Sequence, residues 1–330
     1  MRSRRALALV LLLAACTGRY VRRTTSVKFD RSDARIERGH YLVDSVGACG
    51  TCHSGREGGD FVFDGESVDL YLAGGYGVEL KEMGLSLFFP NLTPDPDTGL
   101  GLWSDDEIAR AIRDGVTREG RLMVPAMPYR SFHDLSDDDV QAIVAYLRSI
   151  PAVKSPRPRR ASKIAGLAGF LVRHGAEHRA PVKSVPAPEA KSPVEYGGYL
   201  VRAAGCPDCH ARKPSGVMRK PTDPLWMAGG AWDDLPGIGR VYMRNLTPDP
   251  ETGLGRYDAT KIVKAMRSGT RLDGKKMAPP MSLYMSHWST MKEEDLQAIA
   301  AYLQKLPAAK NAIPARRLVP DVAEAYGDEP

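Results

Sequence analysis

The chain has 330 residues, 43% of them hydrophobic and 26% charged, with five cysteines and a formal net charge of +6. This balance belongs to a globular protein with room for two ordinary domains and excludes a disordered or repeatedly membrane-spanning chain. The surplus positive charge is no nucleic-acid face: Arg2, Arg4 and Arg5 carry +3 and residues 152–194 carry +7, leaving −4 for everything else.

The first element is a targeting segment. Basic residues at 2–5 precede an unbroken apolar run, Ala6 to Ala15. A run this short cannot cross a hydrocarbon core, which takes about 20 helical residues, so 1–15 reads as a signal peptide. It ends in Leu13-Ala14-Ala15-Cys16, which resembles the lipobox of bacterial lipoproteins. The resemblance implies cleavage before Cys16, acylation of that cysteine, and a lipid anchor on the periplasmic side. Because Thr17 rather than Asp follows, the outer membrane is favoured. The alternative is an ordinary cleaved signal with an incidental cysteine. Residues 16–31 then form a tether.

From there one module is written twice. Gly39-His40-Tyr41-Leu42-Val43 recurs as Gly197-Gly198-Tyr199-Leu200-Val201, and Cys49-Gly50-Thr51-Cys52-His53 as Cys206-Pro207-Asp208-Cys209-His210. Tyr71-Leu72-Ala73-Gly74-Gly75 returns as Trp226-Met227-Ala228-Gly229-Gly230, and NLTPDPDTGLG at 91–101 as NLTPDPETGLG at 245–255. Pro125-Ala126-Met127 and Pro279-Pro280-Met281 follow, then AIVAYLRSIP at 142–151 and AIAAYLQKLP at 298–307. The offsets stay near-constant along the chain, which predicts tandem domains at 32–151 and 195–308, a Pro-rich basic linker at 152–194, and a tail at 309–330.

Each copy reads as mostly helical. Apolar residues at helical spacing (Ile36, Tyr41, Leu42, with Val43 and Val46) precede the first cysteine pair. Ser104 with Glu107 forms a capping box for a helix running to Gly115. Ser136 with Asp139, and Thr290 with Glu293, are expected to open the closing helices. Those helices bury Val140, Ile143, Val144 and Leu147 in one copy and Leu296, Ile299, Ala300 and Leu303 in the other, and Pro151 and Pro307 end them. The one strand suggested is a short piece near Phe61-Val62-Phe63. In the linker, an apolar island from Ile164 to Val172 is expected to pack as a short helix. The fold class predicted is all-α for the most part.

Cys-x-x-Cys-His is the spacing of covalent haem attachment: two thiols add to the haem vinyl groups and the following His binds iron from the fixed side. Two such motifs predict two covalently bound haems c, on Cys49 and Cys52 with His53, and on Cys206 and Cys209 with His210. Thioredoxin-like chemistry would want a βαβ context. A zinc site from both pairs would have to be shared between two complete repeats. The second axial ligand should come from downstream, and Met127 and Met281 hold equivalent places in Pro-x-Met; a thioether there raises the haem potential. Met123, Met277 and Met285 are the competing candidates. The histidines that do not repeat (His40, His133, His174, His178, His287) read as surface or packing residues.

Taken in order, GxYLV, CxxCH, LAGG, NLTPD and PxM make both copies resemble class I cytochrome c domains. They are similar to the cytochrome subunits of membrane-bound alcohol and gluconate-type dehydrogenases, which carry three modules where this chain has two. The resemblance covers nearly all of 34–151 and 195–308. It implies that the cysteines hold haem, that His53 and His210 are proximal ligands and that Met127 and Met281 are distal. It also implies that Gly39 lies close against Tyr146 of the last helix, and Gly197 against Tyr302. The NLTPDP turn is expected beside the haem edge, with Asn91, Thr93, Asn245 and Thr247, and Trp103 with its counterpart Tyr257, as contacts for haem propionates.

The function expected is electron transfer, not catalysis, between an exported dehydrogenase or other donor and a downstream acceptor. The competing reading is a di-haem redox enzyme, peroxidase-like or sulfur-oxidising, or a haem-based ligand sensor. An enzyme or sensor needs an open coordination site or a spare thiol, and both methionines and all five cysteines already have roles.

Overall fold

The computed structural model describes residues 22–55, 70–74, 77–80, 85–120, 122–123, 126–156, 184–188, 192–235, 237–271 and 273–328. The signal peptide, Cys16, the Phe61–Phe63 segment, Pro125, His174, His178 and the Ile164–Val172 island lie outside them.

Helix α1, Asp33–Tyr41, runs on into a π turn at Leu42–Val46. Its buried stripe is Leu42, Val43 and Val46, the apolar positions spaced for one face. Ala48 then takes a left-handed φ of 47°, which turns the chain into α2, Gly50–His53. After a hairpin of β1, Gly77–Leu80, and β2, Leu85–Phe88, come α3, Asp105–Asp114, short α4, Tyr129–Phe132, and α5, Asp137–Ser149. The second copy repeats this order: α6, Pro193–Ala203; α7, Cys206–His210; a hairpin of β3, Trp232–Leu235, and β4, Gly239–Tyr242; α8, Ala259–Ser268; α9, Met281–Trp288; α10, Glu293–Lys305. The tail adds β5, Arg317–Leu318, antiparallel to β4, and closes with α11, Pro320–Ala325.

The capping expectations are met at two of three sites. Ser104 and Glu107 cap α3 reciprocally, and Gly115 ends it at φ 64°. Ser136 accepts from the Asp139 amide at the start of α5. Thr290 does not cap α10, whose N-cap is Lys292; its hydroxyl instead donates to the His287 carbonyl, 2.6 Å, and meets Ser45, 2.8 Å, in the other copy. The short hairpins were not expected, because their strands are too brief for an alternating pattern to stand out.

Helix α1 crosses α5 and α6 crosses α10. A Cβ on Gly39 would fall inside the Ala142 carbonyl and against Tyr146, and one on Gly197 inside the Ala298 carbonyl. In the second copy Gly198 also lies beside the Tyr302 ring. His40 takes that place in the first copy, its ring 5.0 Å from Tyr146.

The two copies share one buried core and meet through a reciprocal pair of contacts. Tyr41 donates to Asp295 at 2.6 Å and accepts from the Lys292 amide at 3.1 Å. Tyr199 donates to Asp139 at 2.6 Å and accepts from the Ser136 amide at 3.2 Å. Each closing helix is thus capped in part by a tyrosine of the other copy, which serves amides left open at a helix start.

The tether is pinned to the first copy. Arg22 pairs with Asp106 at 2.7 Å, the Thr25 amide donates to the same carboxylate at 2.7 Å, and the Phe29 amide donates to Asp105 at 3.0 Å. Burial works against the Asp106 charge, yet Arg22 and Thr25 hold its carboxyl below the usual range. Among the described residues no helix is long and apolar enough to cross a membrane.

Candidate functional site

In each copy a left-handed residue, Ala48 or Gly205 (φ 70°), delivers the chain into the Cys-x-x-Cys-His turn. One helical turn brings the His amide back onto the first cysteine's carbonyl in the first copy, at 2.9 Å. None of the four motif cysteines is in a disulfide, and all are only partly covered. Burial of their sulfurs pushes the Cys49, Cys206 and Cys209 thiols up to about 12. They are therefore neutral thiols at pH 7, unlike the low-pKa thiolates of disulfide exchange.

Both histidines are buried, His53 at 6% and His210 at 5% exposure. Nδ1 of His53 lies 2.8 Å from the Pro90 carbonyl and Nδ1 of His210 lies 2.8 Å from that of Arg244. A carbonyl only accepts, so Nδ1 carries a proton, the arrangement that orients a metal-binding imidazole with Nε2 as its ligating nitrogen. Burial lowers the His210 pKa, keeping the ring neutral.

The LAGG and NLTPD segments hold these carbonyls in place. Leu72 and Met227, both fully buried, adopt φ 54° and 62°. Their carbonyls accept from the amides of Leu92 and Leu246 at 2.8 and 2.9 Å. The Gly229 amide donates to the His210 carbonyl at 2.8 Å.

Asn91, Thr93, Asn245 and Thr247, expected as propionate contacts, are inward-facing residues of a knot. The Asn91 amide donates to Thr98 and to the Val153 carbonyl, and its oxygen accepts from the amide and hydroxyl of Thr93. The Asn245 set is the same, with Thr252, Ala309 and Thr247. These residues are buried with their side-chain donors and acceptors engaged. They strap the chain leaving each closing helix across the turn that supports the histidine of each motif. Asn245→Ala should accordingly destabilise the protein by about 2–3 kcal/mol, because it orphans several buried partners at once; thermal melting of the holoprotein checks this.

Trp103 is half-buried and lines a hollow with tether residues Val27, Lys28 and Arg31; its carbonyl accepts from Arg148. Tyr257 is also half-buried, its carbonyl accepting from Gln304 at 3.1 Å.

Met127 precedes α4 and Met281 begins α9, both half-buried against the shared core. Met285 is a different case. It is buried, with its Cγ 3.1 Å from where a Cβ on Gly269 would lie, just as the Tyr129 ring fills the space beside Gly115. Met285 is thus the packing methionine of the second copy. His133 is buried near Asp114, 3.8 Å away, and His40 pairs with Asp44 at 2.6 Å, so both have partners of their own.

Residues 34–147 match the family model of cytochrome c oxidase, cbb3-type, subunit III. The chain is 30% identical over 288 residues to the cytochrome c subunit of the quinone alcohol dehydrogenase of Gluconacetobacter polyoxogenes, covering 84% of this chain and 57% of that one. It is 30% identical over 286 residues to the cytochrome c subunit of gluconate 2-dehydrogenase from Pantoea cypripedii, covering 84% and 60%. A diheme c-type cytochrome of Cereibacter sphaeroides is 29% identical over 271 residues, with 80% and 83% covered. The chain is thus similar to c-type cytochromes over most of its length. It spans less than two thirds of the length of the dehydrogenase subunits it matches.

C-type cytochromes carry covalently bound haem c, and the residues of this chain fit it. Each motif offers two thiols outside any disulfide and a buried imidazole whose Nδ1 faces a backbone carbonyl, so that Nε2 would be the nitrogen to hold iron. Among the described residues no group of three or more His, Cys, Asp or Glu side chains could hold a metal ion, so the two cysteine pairs do not converge on a shared zinc site. The left-handed residues and the supporting carbonyls of Pro90 and Arg244 escaped sequence reasoning, since a carbonyl leaves no side-chain signature. Their only signal was their fixed place in the repeat.

Proposed function

We propose that this chain is a two-haem electron carrier, one haem per copy, passing electrons from an exported dehydrogenase to a later acceptor. The observation that carries the reading is the duplicated set: a pair of thiols outside any disulfide, a buried histidine oriented by a backbone carbonyl, and a half-buried methionine on a following segment. The relatives named as dehydrogenase subunits support a dehydrogenase as donor, and the diheme relative supports the number two. Bound at these sites, haem supplies one-electron chemistry. The chain's own contribution is to fix each imidazole, offer a thioether opposite it, and keep water from the site. Acylation of Cys16 would hold the protein to the periplasmic face of a membrane, the outer one favoured. The pinned tether then leaves the short stretch from Cys16 to Arg22 between lipid and folded protein.

Mass spectrometry of the denatured chain with a pyridine haemochrome assay tests the stoichiometry. Two haems that resist acid acetone are expected. A single haem, or haem that extracts, would overturn the two-site reading.

A further inference from the structure

The two most exposed large apolar residues among those described are Leu102, at 64%, and Val27, at 52%. Both belong to the hollow of about 410 Å³ where the tether crosses the first copy. Val27 lines it, and Leu102 sits between Gly101 and Trp103, which line it too. Lys28 and Arg31 of the tether reach the same hollow, as does Arg148. Arg148 is engaged by Asp105 at 2.9 Å and by the Leu100 carbonyl at 2.8 Å. Arg31 meets Asp105 only at 3.7 Å, with its side chain 46% exposed, and Lys28 is exposed. The cations open to a ligand are therefore Lys28 and Arg31. Exposed Asp30 and Asp97, close by in sequence, are offset by Arg35 at 3.5 Å and Lys154 at 2.9 Å. Exposed apolar side chains beside cations and an indole make the kind of surface that suits a membrane interface.

We propose that this face of the first copy docks on an anionic phospholipid surface, with a headgroup phosphate in the hollow against Lys28 and Arg31. Val27 and Leu102 then dip among the acyl chains. Position favours lipid over a protein partner, and here the proposal rests on the reading of Cys16 as acylated. That reading puts lipid six residues before Arg22, where Asp106 pins the tether to α3 at 2.7 Å. Six residues reach about 20 Å at full extension, so an anchored chain cannot carry this face far from the bilayer. Docking fixes which way the first copy faces the membrane, where the acyl chains alone would leave it free to turn.

The test uses the mature haem-loaded chain with Cys16→Ser, exported on a leader cut before that residue, so that no acyl chain contributes. Sedimentation with phosphatidylcholine vesicles, with or without phosphatidylglycerol, reads the affinity. Binding should need phosphatidylglycerol and weaken as salt is added. Lys28→Gln with Arg31→Gln should lower the affinity about tenfold, since each cation near an anionic surface contributes severalfold. Leu102→Ser should lower it several-fold and leave the fold intact, because that side chain already stands in solvent. Lys220→Gln with Lys264→Gln removes the same charge from exposed positions of the second copy and should leave binding at the parent level. Binding that ignores phosphatidylglycerol overturns the proposal. So does an equal loss from the two charge variants, or a Leu102→Ser chain that binds as the parent does. An N-terminal peptide of the unaltered protein that carries no acyl chain by mass overturns the anchor reading instead, whatever the vesicles show.

Discussion

Gly197→Ala should destabilise the protein by about 3 kcal/mol or more, a fall in Tm on the order of 10 °C. The added methyl would enter the Ala298 carbonyl and crowd the Ile299 amide at 3.1 Å, both backbone atoms of α10. Backbone cannot rotate away, so the α6–α10 crossing has to open, and with it the core that both copies share. The helical gain of alanine over glycine, about 1 kcal/mol, is too small to offset this. Gly198→Ala provides the contrast. Its methyl would meet only the Tyr302 ring, at 2.8 Å, and a side chain can shift, so the helical gain leaves the change near neutral. Thermal denaturation of both variants decides the matter. Equal Tm values for the two would mean that the close crossing is not what fixes this glycine.

That contrast also marks how far the sequence could be read. The resemblance to cytochrome c domains placed Gly39 and Gly197 at the crossing, and a glycine recurring on a helix face suits a close approach of another backbone. Gly198, one residue on, faces the Tyr302 ring instead of backbone, since a shift of one residue on a helix changes the facing neighbour by about 100°. The capping box at Ser104, the Gly115 stop and the buried stripes of the closing helices were legible, because each is set by residues within a few positions of one another. Thr290 has the same local pattern and does not cap. Its hydroxyl has a better partner in the other copy, Ser45, and such tertiary competition cannot be seen in a local motif.

The site divides along the same line. The Cys-x-x-Cys-His motifs announce themselves, being chemistry written in consecutive residues. The asparagine–threonine knot was not foreseen, because polar residues in a turn look alike whether they point outward or inward. Only the hydrogen bonds, with the Val153 and Ala309 carbonyls supplied from about 60 residues away, show them to be engaged. The reciprocal Tyr41–Asp295 and Tyr199–Asp139 bonds were beyond reach altogether. The residues involved read as ordinary helix-terminal polar groups until two copies are packed face to face.

Met127→Ala and Met281→Ala should each open one haem to carbon monoxide, with the parent protein binding almost none and the double variant binding at both sites. The expectation follows from where the two residues lie. Met127 and Met281 stand at the same point of the repeat, each half-buried on the segment that leads into a helix against the shared core. A thioether is a weak acceptor with little else to bond there, and it can bind iron as a soft ligand. Met285 supplies the control. It is packed beside Gly269, in the role that Tyr129 plays beside Gly115, so Met285→Leu keeps the volume and should leave carbon monoxide binding at the parent level. Titration of the dithionite-reduced proteins, followed in the Soret band, reads all four variants. Each single methionine-to-alanine change should yield about half of the full spectral shift if the two sites are alike. Binding opened by Met285→Leu and not by Met281→Ala would move the second axial ligand to Met285. Substantial binding by the parent would mean that one site is open already, and would bring the redox-enzyme reading forward.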